Sequence, residues 1–455
     1  MILHLVISKY YTHTISLHST KMSQNSKTPA VKSETRLTFG VEIEFLLAAV
    51  DPFFDHPHPK DPREVDGRKL GRQPDANIEV SRKLKAAGVP VSILWHDVDQ
   101  QRDAEAFHTD WILKYDGSVA TQTRIHENYR EHGLEISSPP YYYDEASRKV
   151  VRTVLKTLRN NFLVRVNSST GLHVHVGNEH DGFTLAVLRN LIAILYTYER
   201  QIRLLVPAER VTSQGKHCQP FSYSKLGQNN PDLTRLEFLN RILSYEVYNE
   251  LVFNMSPMLD TERLAFNIMY LSLPYSSFKR TIEFRLHPGS LDHEAVFHWI
   301  HFCIKLVEKA TQTSKQDELI DQLKRDVEKP IGLDEGGFST IDLLMWLGCP
   351  AQAYYYGADM VADPQKLQER IEEDARLELL ATVLARESLI KRQSIPGVDL
   401  DDPSNYDFTG AEKGGNKIPW GPYYEGEDVE DESGNDQEND QEEDKPGDDE
   451  PGNGV

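Results

Sequence analysis

The chain has 455 residues, a hydrophobic content of 39%, five tryptophans and a formal net charge of −21. That is enough for one large domain with accessories or for two domains; no basic stripe or aromatic-basic patch points to nucleic acid, and no apolar run approaches the ~20 residues of a membrane span. Fifteen acidic residues against one lysine lie between Gly421 and Val455, so −14 of the charge sits in a terminal stretch expected to be disordered and −7 in everything before it.

Residues 1–35 read as a leader. Met1-Ile-Leu-His-Leu-Val-Ile-Ser has a short apolar run without a preceding basic region or a cleavage site, a poor secretory signal. Residues 1–21 lack acids and hold several Ser and Thr, which leaves organelle targeting open beside initiation at Met22. The first strand follows at Thr38–Phe45, then a Pro- and His-rich insertion from Asp51 to Pro74, whose prolines make it a surface loop rather than a histidine metal site. A helix is expected over Ile78–Ala87 and strands over Val91–Trp95, Trp111–Tyr115 (ending in the turn Asp116-Gly-Ser) and Gly133–Ser137. Val151, Val154, Leu155 and Leu158 give Asp144–Asn161 an amphipathic helical period. A more apolar helix runs over Phe183–Val206 to Pro207, a loop over Ala208–Asp232, and helices lead to a strand at Thr281. The helix His293–Lys309 carries His298 and His301, read as packing or exposed residues. Beyond Glu318 the pattern is helical, and Asp363 caps a long helix that opens at Pro364 and runs to about Lys391. Cys218, Cys303 and Cys349 are too scattered for a disulfide framework and read as small buried hydrophobes, which argues for a reducing, cytoplasmic setting with nuclear and organellar ones left open. The fold class is α+β, with helices over one sheet face and the polar face open as a cleft.

Three strands carry the chemistry. In Thr38–Phe45, Gly171–Gly177 and Thr281–His287, residues two apart share a face. Phe39, Val41, Ile43 and Phe45 therefore oppose Glu42 and Glu44; Leu172, Val174 and Val176 oppose His173 and His175; Ile282, Phe284 and Leu286 oppose Glu283, Arg285 and His287. Side by side, these strands make one face of carboxylates, imidazoles and an arginine. Carboxylates ~4 Å apart repel by roughly 4 kcal/mol at an effective dielectric near 20, so such a face calls for cations. Side chains two apart are rooted about 6.6 Å from each other, which suits Glu42 and Glu44 to two neighbouring ions better than to one. Oxygen donors with few nitrogens suit Mg²⁺ or Mn²⁺. Gly40 and Gly177, on or beside that face, leave room for a bulky ligand.

The segments Phe39-Gly-Val-Glu-Ile-Glu-Phe45, Trp111-x-x-Lys-Tyr-Asp-Gly-Ser118, Gly133-Leu-Glu-Ile-Ser-Ser-Pro-Pro140, Thr170-Gly-Leu-His-Val-His-Val-Gly177 and Thr281-Ile-Glu-Phe-Arg-Leu-His-Pro288 resemble, in this order, the amidoligase family within the superfamily of glutamine synthetase, glutamate–cysteine ligase and related carboxylate–amine ligases. The resemblance covers roughly residues 36–310. It implies a curved, mainly antiparallel, glutamine synthetase-like sheet that holds ATP and Mg²⁺ (or Mn²⁺), and the joining of a small-molecule or peptide carboxylate to an amine through an acyl phosphate. It implies metal binding by Glu42, Glu44, Glu135, His173 and Glu283, a place near the nucleotide for His175, a phosphoryl-holding role for Arg285, and a place near the acceptor substrate for Asp116. The organisation expected is a leader (1–35), a catalytic domain (36–315), a helical C-terminal region (316–392) and an acidic tail (393–455), with oligomeric state open.

Two other readings stand beside it. A metal-dependent hydrolase would use His173, His175 and Glu283 around an activated water, leaving Glu42, Glu44 and Arg285 without a task. A non-catalytic ATP-binding protein would keep the same fold without turnover. No GxxxxGK[ST] loop occurs, so metal and side chains would hold the phosphates.

Overall fold

In the computed structural model the thirteen-residue strand β1 (Thr38–Val50) is the axis of the sheet. The structure describes residues 36–393, apart from 52, 96–105, 122–127, 180, 213–217, 260–261, 273–278, 313–314 and 333–335; the leader and the acidic tail lie outside the described residues. The other strands are β2 (Val91–Leu94), β3 (Trp111–Tyr115), β4 (Tyr129–Ser137), β5 (Tyr141–Tyr142), β6 (Val164–Arg165), β7 (Gly171–Gly177), β8 (Phe266–Asn267) and β9 (Thr281–Pro288). They form one open sheet in the order β2-β3-β4-β1-β7-β9-β8, with β5 and β6 also pairing with β1. Every pairing is antiparallel except β2 with β3. This is an α+β architecture, and β1, β7 and β9 are neighbours.

Alternation decides which way each strand faces. Phe39, Val41, Ile43, Phe45, Leu172, Val174, Val176, Ile282 and Phe284 are 0–1% exposed. Helices cover this apolar side: α1 (Gln73–Ala86), α2 (Glu145–Asn161), α3 (Leu185–Thr197), α4 (Arg235–Ser244) and α5 (His293–Thr311). Asp144 caps α2, its Oδ1 accepting the Ser147 N–H at 2.9 Å, while Val151, Val154, Leu155 and Leu158 turn inward. Helices α6 (Gln316–Asp326), α7 (Thr340–Trp346), α8 (Pro350–Ala362) and α9 (Pro364–Gln393) complete the chain and feed the same apolar core. Among the described residues no helix is long and apolar enough to cross a membrane. Cys303 and Cys349 are buried and Cys218 is half-buried.

Several boundaries differ from those expected. Helix α1 begins at Gln73 rather than Ile78, because Pro74 sits in its first turn, where a missing N–H costs nothing. The single helix expected over Phe183–Val206 breaks at Tyr198, and a short helix follows at Glu199–Arg203. At the break the Tyr198 hydroxyl donates to Asp326 at 2.7 Å and the Glu199 carboxylate accepts the Phe221 N–H at 2.9 Å. The loop expected over Ala208–Asp232 holds short helical turns at Ala208–Thr212, Phe221–Tyr223 and Lys225–Asn229.

Helix α9 is docked by charge as well as by apolar contact. Asp363 caps it, accepting the Lys366 N–H at 3.0 Å. Arg370 donates to the carbonyls of Arg203, Leu204 and Val206 at and just beyond the end of the short helix. The buried carboxylate of Asp374 meets Arg200 at 3.1 Å and also Arg203. Removing one member of such a pair leaves an uncompensated buried charge. Asp374→Ala is therefore expected to lower unfolding free energy by about 3 kcal/mol in urea titration, whereas Glu373→Ala, which breaks only the surface pair with Arg376, should change it by less than about 0.5 kcal/mol.

Candidate active site

Register brings the chemistry together. Glu42 lies opposite His173 and Gly40 opposite His175 between β1 and β7, and His175 lies opposite Glu283 between β7 and β9. On the other flank of β1, Glu44 pairs with Glu135 of β4, which pairs with Lys114 of β3. The glutamates and imidazoles of the face lie deep: Glu44, Glu135, His173, His175 and Glu283 are only 1–6% exposed. Strand β8 and the turn after it account for part of the cover, with Asn267 Nδ2 donating to Glu283 Oε2 at 2.8 Å and the Tyr270 ring 5.9 Å from that of His175.

The donors divide into two groups. One oxygen each from Glu42 and Glu283 and one nitrogen of His173 lie within 4.8 Å of one another, and so do oxygens of Glu44, Asp116 and Glu135. Glu42 and Glu44 fall in different groups, as their rooting two residues apart on an extended strand requires. The His173 ring lies between them, Nδ1 3.4 Å from Glu42 and 3.7 Å from Glu283, Nε2 3.5 Å from Glu44. His175 is tied to Glu42 through Nε2 at 3.0 Å and to the Thr281 hydroxyl through Nδ1 at 3.0 Å. Arg285 pairs with Glu283. Asp116 holds its turn by accepting from the Ser118 N–H at 2.8 Å.

Each group also has a lysine. Lys279 Nζ is 3.0 Å from Glu42 and Lys114 Nζ is 3.2 Å from Glu135. Neither lysine was singled out from sequence, nor was Asn267. Lys114 sits in the Trp111–Ser118 segment, and Lys279 is two residues before Thr281, so the β9 period carried backwards reaches it. A two-residue strand offers no period to find Asn267.

Burial pushes the four glutamate carboxyls upward, and the two groups answer differently. Against that burial, Lys279, His175 and the bond to His173 hold Glu42 well below the usual carboxylate range. Glu283, equally buried, is brought down to about 2 by Arg285 and the imidazoles. Burial and Arg285 push His173 down to about 4. In the second group, burial with the charges of Glu135 and Asp116 pushes Glu44 up to about 8. Burial and Glu42 push Glu135 up to about 7, which Lys114 only partly offsets. The first group is charge-balanced, and the second is short of positive charge. A site of three carboxylates that retains protons near neutrality fits a divalent cation, since binding would replace those protons.

One sequence reading is corrected. His287 does not share the face of Glu283 and Arg285: a bulge opposite His173, between the pairs Leu172–His287 and Val174–Phe284, turns it beside Leu172, and its ring packs 5.2 Å from Trp299. Gly171, not singled out from the sequence, is the tightest glycine of the face: a Cβ there would lie 2.5 Å from His173 Nε2 and 2.6 Å from Arg210 Nη2, whereas at Gly40 it would meet nothing nearer than 3.8 Å. The Gly171 N–H also donates to Glu44 Oε2 at 2.6 Å.

Residues 35–307 match the family described as "Putative amidoligase enzyme". The chain belongs to that family. It is accordingly a ligase. No curated protein matches the chain. Among solved structures, a bifunctional glutathione synthetase from Pasteurella multocida aligns with 78% of this chain and 52% of its own at 11% identity and a TM-score of 0.27. The chain thus spans about half the length of that protein, and a likeness of that size carries no argument about this amidoligase.

The electrostatics set a pH dependence. Glu44 and Glu135 have folded pKa values above their unfolded ones, so their contribution favours the fold at low pH and is lost as pH rises from about 4.5 to about 8. A cation that replaces the protons reverses the loss. Mg²⁺ is therefore expected to raise the melting temperature more at pH 8.5 than at pH 6, and Glu44→Gln to flatten that difference; an increment independent of pH would contradict the assignment.

Proposed function

We propose that this amidoligase is an ATP- and Mg²⁺-dependent carboxylate–amine ligase acting through an acyl phosphate on a glutamine synthetase-like catalytic sheet. The observation that carries the reading is the pair of separate three-donor groups on one buried sheet face, with Arg285 beside the first. Glu42, His173 and Glu283 would hold one Mg²⁺, and Glu44, Asp116 and Glu135 the other. Mg²⁺ in such places neutralises the charge of a transferring phosphoryl group and its leaving oxygen.

The residues of the chain do the rest. Arg285 holds the γ-phosphoryl group, its guanidinium fixed by Glu283, which Asn267 fixes in turn. Lys279, beside Glu42, and Lys114, beside Glu135, are the cations that would meet incoming phosphate and carboxylate oxygens. His175 sits on the nucleotide side of the first group and Asp116 on the acceptor side of the second. A substrate carboxylate oxygen attacks the γ-phosphorus as the bond to the ADP oxygen breaks. The amine nitrogen then attacks the acyl carbon, phosphate leaves, and the nitrogen gives up a proton. Burial of the face keeps water from the acyl phosphate. The substrates are a small-molecule or peptide carboxylate and an amine, and the setting a reducing, cytoplasmic one. A hydrolase built on His173, His175 and Glu283 would leave Glu44, Asp116, Glu135 and Arg285 without work.

Hydroxylamine trapping tests this. Protein with ATP, Mg²⁺ and a panel of amino acids, dicarboxylates and short peptides should form hydroxamate with one class of acid. Glu42→Gln and Glu283→Gln should each lower that rate at least ~100-fold without unfolding the protein. Unchanged turnover in either variant would refute the site assignment.

A further inference from the structure

Behind the sheet, among α2, α5 and the start of α8, lies a cavity of about 660 Å³, within the roughly 300–1,000 Å³ range of small-molecule sites. It is separate from the carboxylate face. Tyr143, one of its walls, packs 5.9 Å from the ring of Phe39 on the apolar side of β1.

Its polar lining is richer in donors than in acceptors. Arg148 and Arg152 stand one turn apart on α2, and their carboxylate partner is Glu145, which is 70% exposed and outside the lining. Arg148 Nε is buried with no hydrogen-bond partner. Opposite, His298 keeps the amide nitrogen of Gln352 3.2 Å from Nδ1, so that nitrogen accepts and Nε2 carries the proton. Burial lowers the pKa of His298, and burial with Lys305 lowers that of His301, whose neighbours include Arg148; both shifts favour the neutral imidazole, which offers one N–H. Of the two acids in the lining, Asp144 is occupied in capping α2 and lies 3.7 Å from Arg36, while Glu294 is exposed to solvent. Phe297 and Tyr143 supply apolar walls.

A buried guanidinium N–H without an acceptor calls for one, and a paired-arginine wall backed by imidazole N–H groups is suited to a forked oxyanion. Metal is disfavoured: Glu294, His298 and His301 share a helix face, yet among the described residues the convergent three-ligand groups are the two on the sheet. We propose that this cavity is a second binding site, for a small molecule bearing an oxyanion, carboxylate or phosphate, with Arg148 and Arg152 as its anchors and Phe297 and Tyr143 flanking the rest of the molecule.

Calorimetric titration of the full chain, free of ATP and divalent metal, tests this with inorganic phosphate and with benzoate. At least one probe should bind, and the one that does names the oxyanion. Arg148→Gln/Arg152→Gln should weaken it at least tenfold without shifting the melting temperature, since both side chains are a third or more exposed. Ala351→Trp, which keeps both arginines and fills the cavity from its rim, should also abolish binding, and Arg285→Gln on the other side of the sheet should leave it unchanged. Binding of neither probe, binding that survives both cavity variants, or binding lost in Arg285→Gln would each overturn the proposal.

Discussion

The arrangement depends on one electrostatic constraint: four glutamates from β1, β4 and β9, and an aspartate from the turn after β3, are packed onto one side of the sheet, largely out of water. At an effective dielectric near 20, each like-charged pair at about 4 Å costs roughly 4 kcal/mol. The protein meets this cost in two ways. Around Glu42 and Glu283 it supplies Lys279, Arg285 and two imidazoles, and both carboxyls stay ionised. Around Glu44, Asp116 and Glu135 it supplies Lys114, and the carboxyls of Glu44 and Glu135 are held toward protonation. The second group is thus the place where an added cation relieves most.

Local geometry serves that balance. Gly171 lets β7 pass close enough for its N–H to reach Glu44 and for the His173 ring to stand between the groups. The bulge opposite His173 sends His287 to the apolar side, where it packs on Trp299. Extending the strict alternation of β9 through residue 287 would have placed a third imidazole in an already crowded face. The pair Asn267–Glu283 and the contact of Tyr270 with His175 then cover part of the face.

Much of this was legible in the sequence, for definite reasons. A period of two fixes which side chains of one strand share a face, so Glu42 with Glu44, His173 with His175, and Glu283 with Arg285 could be paired from spacing alone. The caps Asp144 and Asp363 were readable because an acid before a helical period has one favoured use. The period does not give register, so the joining of Asp116 to Glu44 and Glu135 had to come from the pairing of β3, β4 and β1. It is blind to a bulge, hence His287, and to short elements, hence Asn267. The break at Tyr198 was hidden because the apolar period runs through it; buried polar groups at Glu199 and Arg203, answered by residues over 20 and over 170 positions away, impose it.

Two cations in two places on one face can be counted. Mn²⁺ bound per chain would be measured by equilibrium dialysis with electron paramagnetic resonance, in the presence of a non-hydrolysable ATP analogue. Two ions are expected, one lost in Glu135→Gln with the other retained, and the reverse in Glu283→Gln. A single ion lost equally in both variants, or two ions indifferent to either, would contradict the two-cation assignment.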